Sequence, residues 1–202
     1  MRLYQSPLSS NSRRVLLTAQ HLNIPLDLVN VDLLSDADRQ RLREVNPNGK
    51  LPVLEDGDFT LWESCAIMQY LADQQPGQTL YPTGARERAD THRWMFWAGQ
   101  HFAATSGFLT FERLWKGMIG MGPADPAIEA AFERTLHTLC AVLDAHLATR
   151  QWLVGDAVSL ADFAVAPPLM YMDKANLPVK GYPNLMRWFD AVQALEAWQQ
   201  TM

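Results

Sequence analysis

An α/β unit followed by an all-α unit is the fold class this sequence predicts, and three observations predict it. Strand and helix signals alternate through the first 75 residues. The stretch "QQPGQTLYPTG" (74–84) then gathers two prolines and two glycines, the mark of a linker. From Ala85 onward only helix signals occur.

The expected order of the first half is β-α-β-α-β-β-α. "MRLYQ" is short, apolar and extended, "SRRVLLTAQHLN" has helical period, and "LDLVNVDL" alternates as a half-buried strand does. "DADRQRLREVN" is a charged run of good helix formers, stopped by Pro47 and Gly49. "LPVLEDGDFTLW" reads as a hairpin with Asp56-Gly57 as the two-residue turn that accepts positive φ, and "ESCAIMQYLADQ" as a helix with Ile67, Tyr70 and Leu71 on one face. Four helices are expected in the second half: a long aromatic one at 86–115, then 126–148, 159–175 and 182–195.

Composition narrows the function. Of 202 residues 48% are apolar and 19% charged, enough for two modest cores and too ordered a balance for disorder. The net charge of −5, with no basic stripe broken by aromatics, speaks against a nucleic-acid partner. No stretch of about 18 apolar residues occurs, nor an apolar core in the first residues, so no membrane span and a cytoplasmic location are expected. Cys65 and Cys140 sit in apolar helical patterns and read as buried hydrophobes. His21, His92, His101, His137 and His146 form no pair at ligand spacing, so no metal is expected.

Chemistry concentrates in two places. In "NPNGKLPVLEDGDFTLWESCAI" (46–67), Pro52 enters the hairpin. It is either an ordinary edge-strand proline or a cis proline that turns the N–H and C=O of Leu51 outward for an extended peptide ligand. Glu63 and Ser64 start a helix. They are either a cap or, by the same physics, an anchor for the zwitterionic end of an amino acid, with N–H groups and a hydroxyl for its carboxylate and an acid for its ammonium. In "QSPLSSNSRRV" (5–15), Ser9, Ser10, Asn11 and Ser12 crowd a helix start. Capping explains one or two of them, Ser12 in particular. A hydroxyl aimed from that start at a ligand thiol would favour the thiolate.

At these residues the chain resembles the cytosolic glutathione transferases, over nearly its whole length. "SPLSSNSRRVLL" looks like the first βα turn of their serine-type phi, theta and delta classes. "NPNGKLPVLEDGDFTLWESCAIMQYL" is similar to the central signature with its cis-proline and Glu-Ser pair, and "WLVGDAVSLADFAV" to the helix-capping motif of the second domain, with Ser159 as N-cap and Asp162 at N3.

The resemblance implies a thioredoxin-like domain over 1–76, an all-helical domain over 84–202 that contributes the electrophile site, glutathione as co-substrate and a homodimer. Position by position, it implies Ser9 as the group that activates the thiol, with Ser10 and Asn11 as alternatives. Leu51 beside Pro52 is the backbone partner of the cysteinyl unit, and Glu63 with Ser64 the γ-glutamyl anchors. Lys50 lies within reach of the glycyl carboxylate. Phi-like members hold that carboxylate with a His-Lys pair; the matching positions here are about Ala37 and Asp38, leaving Arg39, Arg41 and Lys50 as substitutes. A small apolar electrophile is expected between the domains, at Leu8, Trp97, His101 and Phe108. The implied activity is conjugation of glutathione to apolar electrophiles. The rivals are glutathione-dependent reduction of disulfides or peroxides, which a cysteine in the first turn would have favoured, and non-catalytic glutathione binding.

Overall fold

The computed structural model describes residues 1–201, which divide into two compact units: Met1–Tyr81 together with the residues from Leu195 on, and Pro82–Ala194.

The first unit is built on four strands, β1 (Arg2–Gln5), β2 (Asp27–Asn30), β3 (Val53–Asp56) and β4 (Phe59–Trp62), in the order β2-β1-β3-β4. β2 runs parallel to β1; β3 is antiparallel to both β1 and β4. The parallel pair needs a crossover, and α1 (Ser10–His21) supplies it. Alternation along β1 and β3 sends Tyr4 and Val53 to one face, where they pack with Leu42 of α2 (Asp36–Val45), Val31 and Leu51. Leu3 and Leu54 take the other face, and α1 packs against α3 (Ser64–Asp73). Ile67 and Leu71 of α3 are fully buried. Tyr70 is half-buried, with its hydroxyl donating to Asp56 at 2.7 Å.

Two local expectations shift by a few residues. The hairpin loop is Gly57-Asp58, not Asp56-Gly57, because Asp56 still pairs with Phe59. Only Gly57 takes positive φ (+63°), the signature of a type II′ turn. The cap of α1 falls on Ser9 rather than Ser12, since the helix begins at Ser10 and Ser12 is buried inside its first turn.

The second unit is all helix. The long aromatic segment forms α4 (Ala85–Trp97), α5 (Ala103–Thr110) and α6 (Lys116–Met118), joined by π-helical turns at Ala98–Phe102 and Phe111–Trp115. Met95, Ala98, Phe102, Ser106 and Leu109, three and four residues apart, form one buried stripe along this segment. α7 (Pro126–Leu147) buries Leu136, Cys140, Leu143 and Leu147; α8 (Leu160–Val165) and α9 (Pro183–Gln193) complete the core with Phe163, Trp188 and Phe189. The segment expected as one helix at 159–175 ends early, passing into a tighter 3₁₀ turn at Pro167–Tyr171, because two prolines remove backbone donors.

Asp162 ties this unit together. It accepts the Ser159 N–H at 2.8 Å and hydroxyl at 2.9 Å, the Leu153 N–H at 3.0 Å and the Trp188 indole N–H at 2.8 Å. The Ser159–Asp162 capping box is thus present. Burial pushes the Asp162 carboxyl up, and the four donors oppose that rise.

The chain then returns to the first unit. α10 (Glu196–Gln200) packs on α1, with Arg13 donating to the Trp198 carbonyl at 3.1 Å and its guanidinium 3.8 Å from the centre of the Trp198 ring. These contacts place the residues from Leu195 on in the same compact unit as α1. Among the described residues neither cysteine is part of a disulfide; Cys140 is buried and Cys65 only partly so. Among the described residues no helix is long and apolar enough to cross a membrane, and no cluster of three or more His, Cys, Asp or Glu could hold a metal ion.

Candidate active site

Sheet topology gathers the sequence-flagged turns of the first unit at one end. β1 ends at Gln5. β3, antiparallel to it, begins at Val53 opposite Tyr4, and β4 ends at Trp62 opposite Val53. Residues 6–9, residues 50–52 and the Glu63-Ser64 pair therefore all emerge on that side. Residues 31–35 join them, because β2 is parallel to β1 and ends beside it.

The first turn sorts its four polar side chains into different tasks. The Ser12 hydroxyl is buried and accepts the Ser6 N–H at 3.4 Å, which holds the turn closed. Ser9 has extended dihedrals (φ −94°, ψ 112°), and its Oγ accepts the Ser12 N–H at 3.1 Å, satisfying one orphan donor of α1. With a lone pair so engaged, the Ser9 O–H proton remains to be donated. Asn11 Oδ1 accepts from Arg14 Nη1 at 2.7 Å, so of the alternatives to Ser9 only Ser10 keeps a side chain without a bond among the described residues.

The second turn presents backbone. The Leu51-Pro52 peptide is cis, and the paired ladder begins at Val53, so the amide and carbonyl of Leu51 stand outside the sheet. The Leu51 side chain is buried in the cluster of Tyr4, Val31, Leu42 and Val53, which anchors that backbone. Asn46, itself buried, braces the approach. Its Nδ2 donates to the Lys50 carbonyl at 2.7 Å, its Oδ1 accepts the Asn48 N–H at 3.0 Å, and its own carbonyl accepts the Gly49 N–H at 2.8 Å. Gly49 sits at φ +60°. A side chain there would be strained by conformation and would press on Arg43 at 3.3 Å.

The third turn holds Glu63 at φ +74°, in a region that non-glycine residues seldom occupy, at a cost of about 1–3 kcal/mol. Its carboxylate makes no capping bond and is exposed, while Ser64 beside it is buried at the first position of α3. Arg14 Nη1 donates to Ser64 Oγ at 3.3 Å. Burial lowers the pKa of Arg14, Cys65 and Glu63 pull it back up, and a guanidinium retains its charge through such a shift. The end of the sheet thus combines two helix N-termini and a buried cation, a setting that favours anions.

Sequence models of the glutathione S-transferase N-terminal and C-terminal domains match residues 3–79 and 125–191. The chain is 34% identical to glutathione S-transferase GstB of Escherichia coli (strain K12) over 191 residues, 90% of this chain and 87% of that one. It is 31% identical to glutathione S-transferase F10 of Arabidopsis thaliana over 202 residues, 96% and 93% of the two chains. This chain belongs to the glutathione S-transferase family. Among solved structures, glutathione transferase F7 from Populus trichocarpa superposes with a TM-score of 0.90 at 26% identity, covering 99% of this chain and 96% of that one. Glutathione S-transferase III in apo form superposes with a TM-score of 0.86 at 33% identity, over 99% and 94%. The expected thioredoxin-like domain followed by a helical one is therefore the fold of this glutathione S-transferase family member.

Within that frame the three candidate cations differ. Arg39 is held by Asp36 and by the Leu33 carbonyl at 2.8 Å, and Arg41 lies 3.6 Å from Asp38. Lys50 is exposed and has no ion-pair partner among the described residues. Of the flagged electrophile residues, Leu8 lies in the first unit, 62% exposed beside Ser9. The other three lie in the second. Trp97 stacks on Phe102 with ring centres 5.3 Å apart, Phe108 stacks on Phe132 at 5.0 Å, and His101 is exposed in the first π turn. Sequence reasoning missed Arg14 and Asn46 as organisers. A signal for Arg14 existed: it stands three and four residues before Leu17 and Thr18, which are fully buried, and so on the inward stripe of α1.

Proposed function

We propose that this glutathione transferase lowers the pKa of bound glutathione at the start of α1 and delivers the thiolate to a small apolar electrophile. The carrying observation is the Ser9 hydroxyl, whose acceptor side is used by the Ser12 N–H while its proton remains for donation, at the same end of the sheet as Leu51 and Glu63-Ser64. In this reading the Leu51 amide and carbonyl pair with the cysteinyl unit as a strand would. The Ser64 hydroxyl and the N–H groups of α3 take the γ-glutamyl carboxylate, the Glu63 carboxylate takes its ammonium, and Lys50 takes the glycyl carboxylate.

The thiol gives its proton to solvent and Ser9 stabilises the sulfur anion by a hydrogen bond, with no covalent role. The sulfur pair then forms a carbon–sulfur bond as a leaving group departs or an addition product takes up a proton. No cysteine occurs among residues 6–12, so no enzyme thiol competes in that turn, which supports conjugation over disulfide reduction. Leu8, Trp97, His101 and Phe108 are the proposed electrophile contacts, a homodimer the proposed assembly and the cytoplasm the proposed location. The test is a panel with glutathione against an aryl halide, an epoxide, a hydroperoxide and a mixed disulfide. Turnover of the first two supports the proposal. Turnover of only the last two makes the chain a reductase, and binding without turnover makes it a non-catalytic binder.

A further inference from the structure

We infer that Arg14 is a positioning residue of the glutathione site, strapping the turn that carries Ser9 to the start of α3 that carries Glu63 and Ser64. The inference rests on the function proposed above. One guanidinium nitrogen, Nη1, donates both to Asn11 Oδ1 at 2.7 Å and to Ser64 Oγ at 3.3 Å, joining residues on two different helices. Arg14 is 3% exposed, and a charge so deeply buried is costly unless it is bound on several sides. The planar guanidinium suits this: it donates in fixed directions and stays charged.

The consequence at Ser64 is directional. A hydroxyl oxygen that accepts from Arg14 has its own proton for another acceptor: the Cys65 sulfur lies within its hydrogen-bond reach, and a ligand carboxylate at the α3 N-terminus would be the stronger acceptor. At the other end, the bond to Asn11 fixes the first turn of α1 one residue beyond Ser10. The charged and titratable groups facing Arg14 include Glu63 and Cys65, both at the start of α3. Arg13, next in sequence, is tied instead to Trp198, so the two arginines hold α1 from separate directions. Arg14 thereby sets the distance between the thiol end and the γ-glutamyl end of the ligand.

The test uses Arg14→Lys, which keeps the charge but replaces the planar fork with a point donor, and Asn11→Ala, which removes the exposed partner. With the parent active on glutathione and an aryl halide, Arg14→Lys should raise the KM for glutathione roughly tenfold, the effect of losing one charge-assisted hydrogen bond. The pH profile of kcat/KM should move by less than about half a unit, because the charge remains. Asn11→Ala should raise the same KM about threefold, and the double variant should fall short of the product of the two, as expected for one shared strap. Arg14→Gln, where it folds, should raise KM and also move the profile upward. A folded Arg14→Lys with the parent's KM, or effects that multiply independently, overturns the inference. A parent that neither binds nor turns over glutathione overturns the function beneath it instead.

Discussion

Asn46 Nδ2 donates to the carbonyl oxygen of Lys50 at 2.7 Å, and this bond shapes the turn that delivers Leu51. Asn46 is 2% exposed at the end of α2, and Asn48 closes back onto its Oδ1. Asn46→Ala removes the brace without touching any group proposed to meet ligand. The KM for glutathione should rise about 5- to 30-fold, equivalent to one or two ordinary hydrogen bonds, with kcat at saturation nearly unchanged. Steady-state kinetics over a glutathione series checks this split; a fall in kcat at constant KM would contradict it.

Lys50 separates the candidates for the glycyl carboxylate. Arg39 and Arg41 are neutralised locally by Asp36 and Asp38, whereas the Lys50 ammonium is open to a ligand. Lys50→Glu should raise the KM for glutathione about tenfold at low ionic strength, and by less in 0.5 M salt, since an exposed charge is screened over roughly a Debye length. Arg41→Glu should change it little. Equal effects at both positions would remove Lys50 from its proposed role.

Acid should weaken the second unit through His146. Its Nε2 lies 2.9 Å from the Leu153 carbonyl and must donate there, and its ring centre is 4.6 Å from that of Trp94. Burial, the leading cause, pushes the imidazole below its ordinary 6.5. A base with a lowered folded pKa binds fewer protons than the unfolded chain in that window, so stability is full above about pH 6.5 and declines as pH falls through it. The urea midpoint should drop between pH 7 and pH 5, and drop less in His146→Gln. His21, also pushed down by burial, accounts for part of the remainder. A parent midpoint that is flat over this range would contradict the argument.

How far the sequence reveals this molecule depends on whether the determining physics is local. The α/β-then-α order, the hairpin and the Ser159–Asp162 box are written in periodicity and in cap spacing, and the structure contains all three. The exact hairpin loop and the cap of α1 depend on where strand pairing and helix begin, and a shift of one or three residues moved each of them. The two π turns interrupt a run whose buried residues Ala98, Phe102 and Leu109 keep ordinary helical spacing, so the apolar pattern holds no sign of them. The attachment of α10 to α1 needs Arg13 and Trp198 to meet across 185 positions of sequence, beyond any local pattern. In the same way Ser9, Leu51, Glu63 and Ser64 can be flagged one by one from motifs. What joins the elements carrying them, the bond from Arg14 to Ser64 and the bond from Asn46 to Lys50, belongs to the folded chain alone.

The central claim, that the Ser9 hydroxyl stabilises the thiolate of bound glutathione, is tested most directly by titrating that thiol through its thiolate ultraviolet absorbance in the parent and in Ser9→Ala. Because Ser9 also caps α1 through the Ser12 N–H, the variant should lose about 1 kcal/mol of stability. The account further predicts a rise of about one to two units in the pKa of the bound thiol and a roughly 10- to 100-fold slower reaction near neutral pH, with Ser10→Ala leaving both unchanged. A stability loss with an unmoved thiol pKa would make Ser9 a helix cap and nothing more, and would contradict the claim.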